Sequence, residues 1–212
     1  KALEVSPAIL DREFQQLGQL LTGIALLKAA PAKTHAEVMS LGELMMTRLG
    51  HAFLQKKGIN THWFDVRNAL VSKPIPNSND AVNYLAARCD SQPNPALKEQ
   101  LLSSGATAII TQGFFAANSM GETVLLGRGG SDTSAALLSA ILEASLCEIW
   151  TDVSGIYTAN PRWIPEARRL KTLNYTEAQE LASMGAKVIH PNCIPPVKAY
   201  QIPLFIKDTA NP

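Results

Sequence analysis

The sequence predicts an α/β fold, a three-layer α/β/α sandwich around a largely parallel central sheet. Two observations predict it. Beyond residue 105, short β-forming runs alternate with helical patterns, and crossovers of ten or more residues join strands in parallel. Hydrophobic residues make up 46% of the 212 positions and charged residues only 17%, below the roughly 25% charge of an average soluble domain, so much of the chain lies inside. By length alone this is one compact domain, or one with a small appendage.

Taken in order, Asp11 to Lys28 places Phe14, Leu17, Leu20, Leu21, Ile24 and Leu27 at spacings of three and four, one stripe of an amphipathic helix. A second such pattern, Ala36 to Lys57, runs through Val38, Leu41, Met45, Leu49 and Phe53 and stops on Gly58. Thr61 to Val66 is rich in β-formers and reads as a strand, and the Pro- and Asn-rich stretch Ser72 to Asp80 as an irregular loop. Ala81 to Cys89 and Ala96 to Ser103 read as helices. Then come strand Ala106 to Thr111, strand Thr123 to Leu126, helix Ser131 to Ala144 and strand Cys147 to Thr151. A helix over Thr176 to Met184, another near Pro195 to Ala199 and a strand Leu204 to Lys207 complete the pattern. No internal repeat stands out.

Charge excludes several roles. The 19 basic and 18 acidic residues divide as 11 and 9 before residue 106, and 8 and 9 after it, so neither half is a polyanion-binding or acidic tail. No apolar run approaches the roughly 18 residues of a membrane span, and the chain reads as soluble and cytoplasmic, with neither nucleic acid nor membrane as partner. Cys89, Cys147 and Cys193 are widely spaced and lack metal-ligand neighbours. They read as small hydrophobes in a reducing compartment.

In a parallel sheet, ligands bind outside the carboxyl ends of the strands, which directs attention to the loops after Thr111, Leu126 and Thr151. The sharpest is Gly127-Arg128-Gly129-Gly130-Ser131-Asp132, which follows a strand and opens a helix with Ser131 as its expected N-cap and Asp132 in its first turn. Glycines let backbone amides approach an anion already favoured by the helix N-terminus, and Arg128 adds a bidentate clamp for carboxylate or phosphate. It is neither a dinucleotide-binding fingerprint nor a Walker A loop. The bland alternative is an ordinary tight turn with a solvated arginine.

Trp150 to Arg162 gathers Thr151, Asp152, Tyr157 and Arg162 after a strand, the parts needed to hold ribose, base and polyphosphate, or else a capped surface loop. In Gly185-Ala186-Lys187-Val188-Ile189-His190-Pro191, Lys187 either faces a phosphate or is a solvated lysine, and His190 reads as structural. Glu43, a carboxylate amid apolar residues beside Gly42, is either a site residue or an exposed helix position.

These four elements, with Ser40-Leu41-Gly42-Glu43 as the last of them, stand in the order and at roughly the spacing of the aspartate kinases of the amino-acid kinase superfamily. Trp63-Phe64-Asp65-Val66-Arg67 and Thr111-Gln112-Gly113-Phe114 resemble that family as well. The resemblance implies the amino-acid kinase fold and ATP-dependent phosphorylation of the side-chain carboxylate of L-aspartate to 4-phospho-L-aspartate, the first step of lysine, threonine and methionine biosynthesis. It implies that Glu43 holds the substrate ammonium and Arg128 its carboxylate, with Gly129 and Gly130 beside them. Ser131 and Asp132 would floor the transfer site, and Thr151, Asp152, Tyr157, Arg162 and Lys187 would bind nucleotide. ATP and Mg²⁺ are the implied cofactors and a homo-oligomer the implied full-length assembly, in a family whose kinase part also occurs fused to homoserine dehydrogenase or diaminopimelate decarboxylase.

The family's Lys-Phe-Gly-Gly-Thr-Ser strand and loop, which binds phosphates, has no counterpart here, and no regulatory domain is recognisable. The expectation is a catalytic domain, residues 1–212, lacking that element and poorly active alone. Phe115-Ala116-Ala117 and Asn160 also depart from the usual residues. Other amino-acid kinases with different acceptors, and a nucleotide-binding module without catalysis, are the alternatives.

Overall fold

The computed structural model describes residues 3–160, 163–185 and 188–211. The chain forms two compact units, Lys1–Asp90 with Asn94–Gly130, and Ser91–Pro93 with Ser131–Pro212.

In the first unit, helix α1 (Asp11–Leu27) follows a short 3-10 turn, and α2 (Ala32–Lys56) packs against it. The buried stripe of α1 is rotated from the expected one. Glu13 is buried, whereas Phe14, Leu21 and Leu27 are exposed, because Arg48 on α2 reaches Glu13 with Nε 2.9 Å from Oε1. The Nε–H misses the direction of a hydrogen bond, so the contact is ionic. The Arg48 guanidinium also lies 4.3 Å from the Trp63 ring centroid. Helix α2 buries Ala36, Ser40, Leu41 and Leu44. It ends as expected at Gly58, whose φ of +80° closes a Schellman motif in which Gly58 N donates to Gln55 O and Ile59 N to Leu54 O.

The expected strand after α2 is shorter, β1 (Thr61–Trp63). Asp65 turns the chain by accepting a bond from the Arg67 amide, capping a 3-10 turn over Val66–Asn68. The loop expected at 72–80 begins with a two-residue strand, β2 (Ser72–Lys73), and runs to α3 (Asp80–Leu85), capped by Asn79. The helix expected to reach Cys89 stops at Leu85. Ala86 leaves helical space at φ −143°, Ala87 donates to Leu125 O instead, and β3 (Arg88–Cys89) pairs with β2 antiparallel. Helix α4 (Pro95–Ser103) is capped by Asn94 and precedes β4 (Ala108–Ile110), which runs parallel to β1. An antiparallel ladder, β5 (Phe115–Ala117) with β6 (Thr123–Leu125), is buried at every residue.

The second unit holds α5 (Gly130–Ile141) from Ser131 onward, β7 (Cys147–Thr151), α6 (Tyr175–Ser183), α7 (Ile194–Ala199) and β8 (Leu204–Asp208). Strands β7 and β8 pair in parallel from Cys147↔Leu204 to Thr151↔Asp208, so their carboxyl ends are adjacent. Asn174 and Glu177 form a full capping box at the start of α6. The core of this unit joins Ala136, Ile149, Cys193, Ile194 and Val197. Burying a side chain such as Ile194 completely is worth about 1.5–3 kcal/mol. Cys147 and Cys193 are buried, Cys89 is half-buried, and all three thiols are free, in keeping with their reading as small hydrophobes. No helix among the described residues is long and apolar enough to cross a membrane.

Candidate functional site

In the first unit, Glu43 faces inward on α2 and is half-buried rather than fully exposed. Its Oε1 accepts a hydrogen bond from the Gly113 amide at 3.1 Å. The next residue, Phe114, has a left-handed backbone, φ +53°, which is an outlier for a bulky side chain. Its carbonyl accepts from the Leu126 amide at 2.8 Å. A Cβ on Gly130 would stand 2.7 Å from Phe114 Cβ and 2.9 Å from its Cα, so only glycine fits there. Gly127 and Gly129 also take positive φ, +74° and +64°, where a side chain is strained. The glycines of the turn are thus dictated by backbone shape and by the close approach of the Gly113–Phe114 segment. Arg128, between them, is exposed. The structure therefore joins Glu43 to the Arg128-Gly129-Gly130 turn through two consecutive residues, Gly113 and Phe114.

Helix α5 starts at Gly130 rather than at a Ser131 cap. The first helical residue is therefore two positions earlier than a cap at Ser131 would set it. Ser131 is exposed in the first turn, and Asp132 is in that turn as expected.

In the second unit, Asp132 Oδ2 accepts from the His190 backbone amide at 3.3 Å. His190 also caps the Pro191–Cys193 turn with its ring. Burial, and after it the Asp132 charge, pushes the Cys193 thiol up to about 12. Burial also raises Cys147, with Asp132 a lesser contributor.

Thr151 ends β7, and its carbonyl accepts both the amide and the hydroxyl of Thr209, at 2.9 and 3.0 Å. Its hydroxyl donates to Asp152 Oδ1 at 3.2 Å. An open cavity of about 380 Å³ sits here, lined by Thr151, Asp152, Asp208, Thr209 and Ala210. The Tyr157 hydroxyl lies 2.9 Å from Ser154 Oγ, and Arg169 pins this loop by donating to Ser154 O at 3.3 Å. Thr151, Asp152 and Tyr157 therefore share one strand end and its loop. Arg162 and Lys187 lie outside the described residues.

The sequence places Gln112 in the Thr111-Gln112-Gly113-Phe114 motif without giving it a role, and does not single out the His190 amide, Arg169 or the Asp208–Ala210 segment. Each acts across 15 to 70 positions of sequence or through its backbone, and no local pattern announces that. The cavity lies at the loop after Thr151 to which the strand-end rule points, and its β8 side, Asp208 to Ala210, follows from the pairing of β7 with β8.

Residues 4–208 match the amino acid kinase family. The chain is 38% identical over 210 residues to the lysine-sensitive aspartokinase 3 of Escherichia coli K12, covering 97% of this chain and 45% of that protein. It is 39% identical over 210 residues to the bifunctional aspartokinase/homoserine dehydrogenase of Haemophilus influenzae, covering 99% of this chain and 25% of that one. Its structure superposes on the crystal structure of E. coli aspartokinase III in complex with aspartate and ADP (R-state) with a TM-score of 0.81 at 36% identity, over 95% of this chain and 43% of that one. The chain thus spans less than half the length of these relatives. The α/β class expected from the sequence is the class of these structures. With a family match over nearly the whole length and relatives at 38–39% identity, the chain belongs to the amino acid kinase family.

Proposed function

We propose that this chain transfers the γ-phosphoryl group of ATP to the side-chain carboxylate of L-aspartate, giving 4-phospho-L-aspartate, the step that opens lysine, threonine and methionine biosynthesis. The observation that carries the reading is the likeness to a structure holding aspartate and ADP. In this reading residues 1–212 serve as the catalytic domain.

The acceptor side uses Glu43, Arg128, Gly129 and Gly130. Gly113 occupies one oxygen of Glu43, leaving the other for the substrate ammonium, while exposed Arg128 takes the α-carboxylate as a bidentate pair. The reacting side-chain carboxylate has a reference pKa of about 3.9, so it is ionised at pH 7 and needs no general base. The chain supplies positioning and positive charge instead. Ser131 and the glycine amides lie at the start of α5, where a helix favours anions. Asp132, held by the His190 amide, orients a catalytic lysine in this reading.

Thr151, Asp152 and Tyr157, with Arg162 and Lys187, bind the nucleotide. This reading seats part of the nucleotide at the open cavity beside Thr151 and Asp152. Among the described residues no cluster of three or more His, Cys, Asp or Glu is placed to hold a metal. A Mg²⁺ that keeps water and phosphate ligands needs only one or two carboxylates from the protein. When bound, Mg²⁺ neutralises the charge of the transferring phosphates. Three free thiols suit a reducing compartment, the cytoplasm.

The test is phosphoryl transfer by the intact protein to aspartate, glutamate and UMP, with hydroxylamine trapping the acyl phosphate. Aspartate hydroxamate in excess is expected. Transfer to glutamate or UMP at an equal or higher rate, or to none of the three, overturns the reading.

A further inference from the structure

Gln112 is 2% exposed and lies immediately before the two residues that join Glu43 to the glycine turn. Its side chain makes two hydrogen bonds. Nε2 donates to Thr47 Oγ1 at 3.1 Å, and Oε1 accepts from the Val66 amide at 2.9 Å. A buried amide is tolerated only when so paired. Thr47 is itself fully engaged, donating to Leu44 O and accepting from Trp63 Nε1, each at 3.1 Å.

Thr47 stands four residues beyond Glu43 on α2, which places both on one face of that helix about 6 Å apart along its axis. Gln112 and Gly113 are consecutive. The 112–113 segment therefore grips α2 at two points, side chain on Thr47 and backbone amide on Glu43. Two attachments fix both the distance and the rotation of the segment, where one would leave it free to pivot about Gly113. The far end of the same segment is Phe114, whose left-handed backbone rests on Gly130. Val66, the other partner of Gln112, ties the strut to the turn after β1.

We propose that Gln112, through Thr47, is a positioning residue for the acceptor amino acid: it sets where the Glu43 carboxylate stands relative to the Arg128-Gly129-Gly130 turn. The inference rests on the reading of that region as the aspartate-binding side. Gln112 does not touch the substrate. It acts through the Gly113 amide, which orients Glu43, and through Phe114, which shapes the turn.

The test is steady-state kinetics on the full chain with Gln112→Met, Thr47→Val and Thr47→Ser. Methionine matches glutamine in length but makes neither bond, and valine matches threonine in shape but offers Gln112 no acceptor. Gln112→Met is expected to raise KM for aspartate at least tenfold while KM for ATP stays within twofold. Thr47→Val should follow in the same direction, and Thr47→Ser, which keeps the hydroxyl, should restore the aspartate KM to within twofold of the parent. A role confined to packing would lower the melting temperature without that split. An unchanged aspartate KM in both Gln112→Met and Thr47→Val, or equal rises for aspartate and ATP, overturns the inference. If Gln112→Met does not fold, Thr47→Val against Thr47→Ser decides alone. A parent chain that phosphorylates no aspartate removes the functional reading and this inference together, whereas an active parent with indifferent variants removes only this one.

Discussion

Phe114 and Gly130 are in contact so close that a methyl group on the glycine would stand 2.7 Å from Phe114 Cβ. Two backbones meet here, not two flexible side chains, so the clash has no cheap relief. Gly130→Ala is expected to destabilise the chain by about 1–3 kcal/mol, the usual range for overpacking, and to weaken aspartate binding. Gly18→Ala is the control, since nothing lies within 4 Å of a Cβ there and α1 would gain helix propensity. It should be stabilising by up to about 1 kcal/mol. Denaturant midpoints of the two variants, compared with the parent, check both signs.

Arg128 is exposed between two glycines of positive φ, where an incoming anion can reach it. If that anion is the aspartate α-carboxylate, Arg128→Ala should raise KM for aspartate far more than KM for ATP, by at least about 20-fold for the loss of a charged pair worth about 2 kcal/mol. Equal losses in the two constants would make it a phosphate ligand instead.

The Glu13–Arg48 pair holds a buried carboxylate in the first unit. Removing Arg48 leaves the buried Glu13 carboxylate without its cation, and Glu13 Oε2 has no other partner among the described residues. Arg48→Met is expected to cost about 3 kcal/mol, or about 6–12 °C in melting temperature for a chain of this size. Adding Glu13→Met should recover most of it, because an apolar pair needs no compensation. Thermal unfolding of the single and double variants measures the difference.

Glu122 titrates in the folded chain at about 2, held down from 4.5 by hydrogen bonds from Lys33, Tyr84 and Asn118, in that order of size. A depressed carboxyl pKa makes its contribution to stability complete above about pH 4.5 and removes it as the pH falls from there through about 2. Glu122→Gln should therefore be least different from the parent at the acid end of that window and most different above it. Unfolding midpoints measured from pH 2 to 7 trace this, and a gap that widens on acidification would contradict it.

Much of the fold is legible because helices announce themselves by period and cap. Gly58 and the stripe on α2 are local signals, and the β7 strand is read to the residue. The strands β2, β3 and β5 are not, for definite reasons. Phe115-Ala116-Ala117 is buried on both faces and so shows no alternation, and alanine is a poor strand former. Arg88-Cys89 continues a run of helix formers, and only the bond from Ala87 to Leu125 ends that helix. The site divides in the same way. Glu43, Arg128 and Asp152 stand in compact motifs, whereas what orients Glu43 and Asp132 is a backbone amide 70 and 58 residues away. An amide carries no residue type, so no motif search sees it.

The state of the three thiols has a practical consequence for spectroscopy. With Cys89 and Cys193 pushed up to about 12 by burial, and Cys147 raised as well, almost none of their sulfur is thiolate at neutral pH, the form that alkylating dyes attack. A cysteine introduced on the solvent face of α1, with an ordinary pKa of about 8.5, would outcompete them by orders of magnitude. A single fluorophore or spin label could then be attached at a chosen point without first removing the native cysteines, and conformational exchange between ligand states could be followed from it.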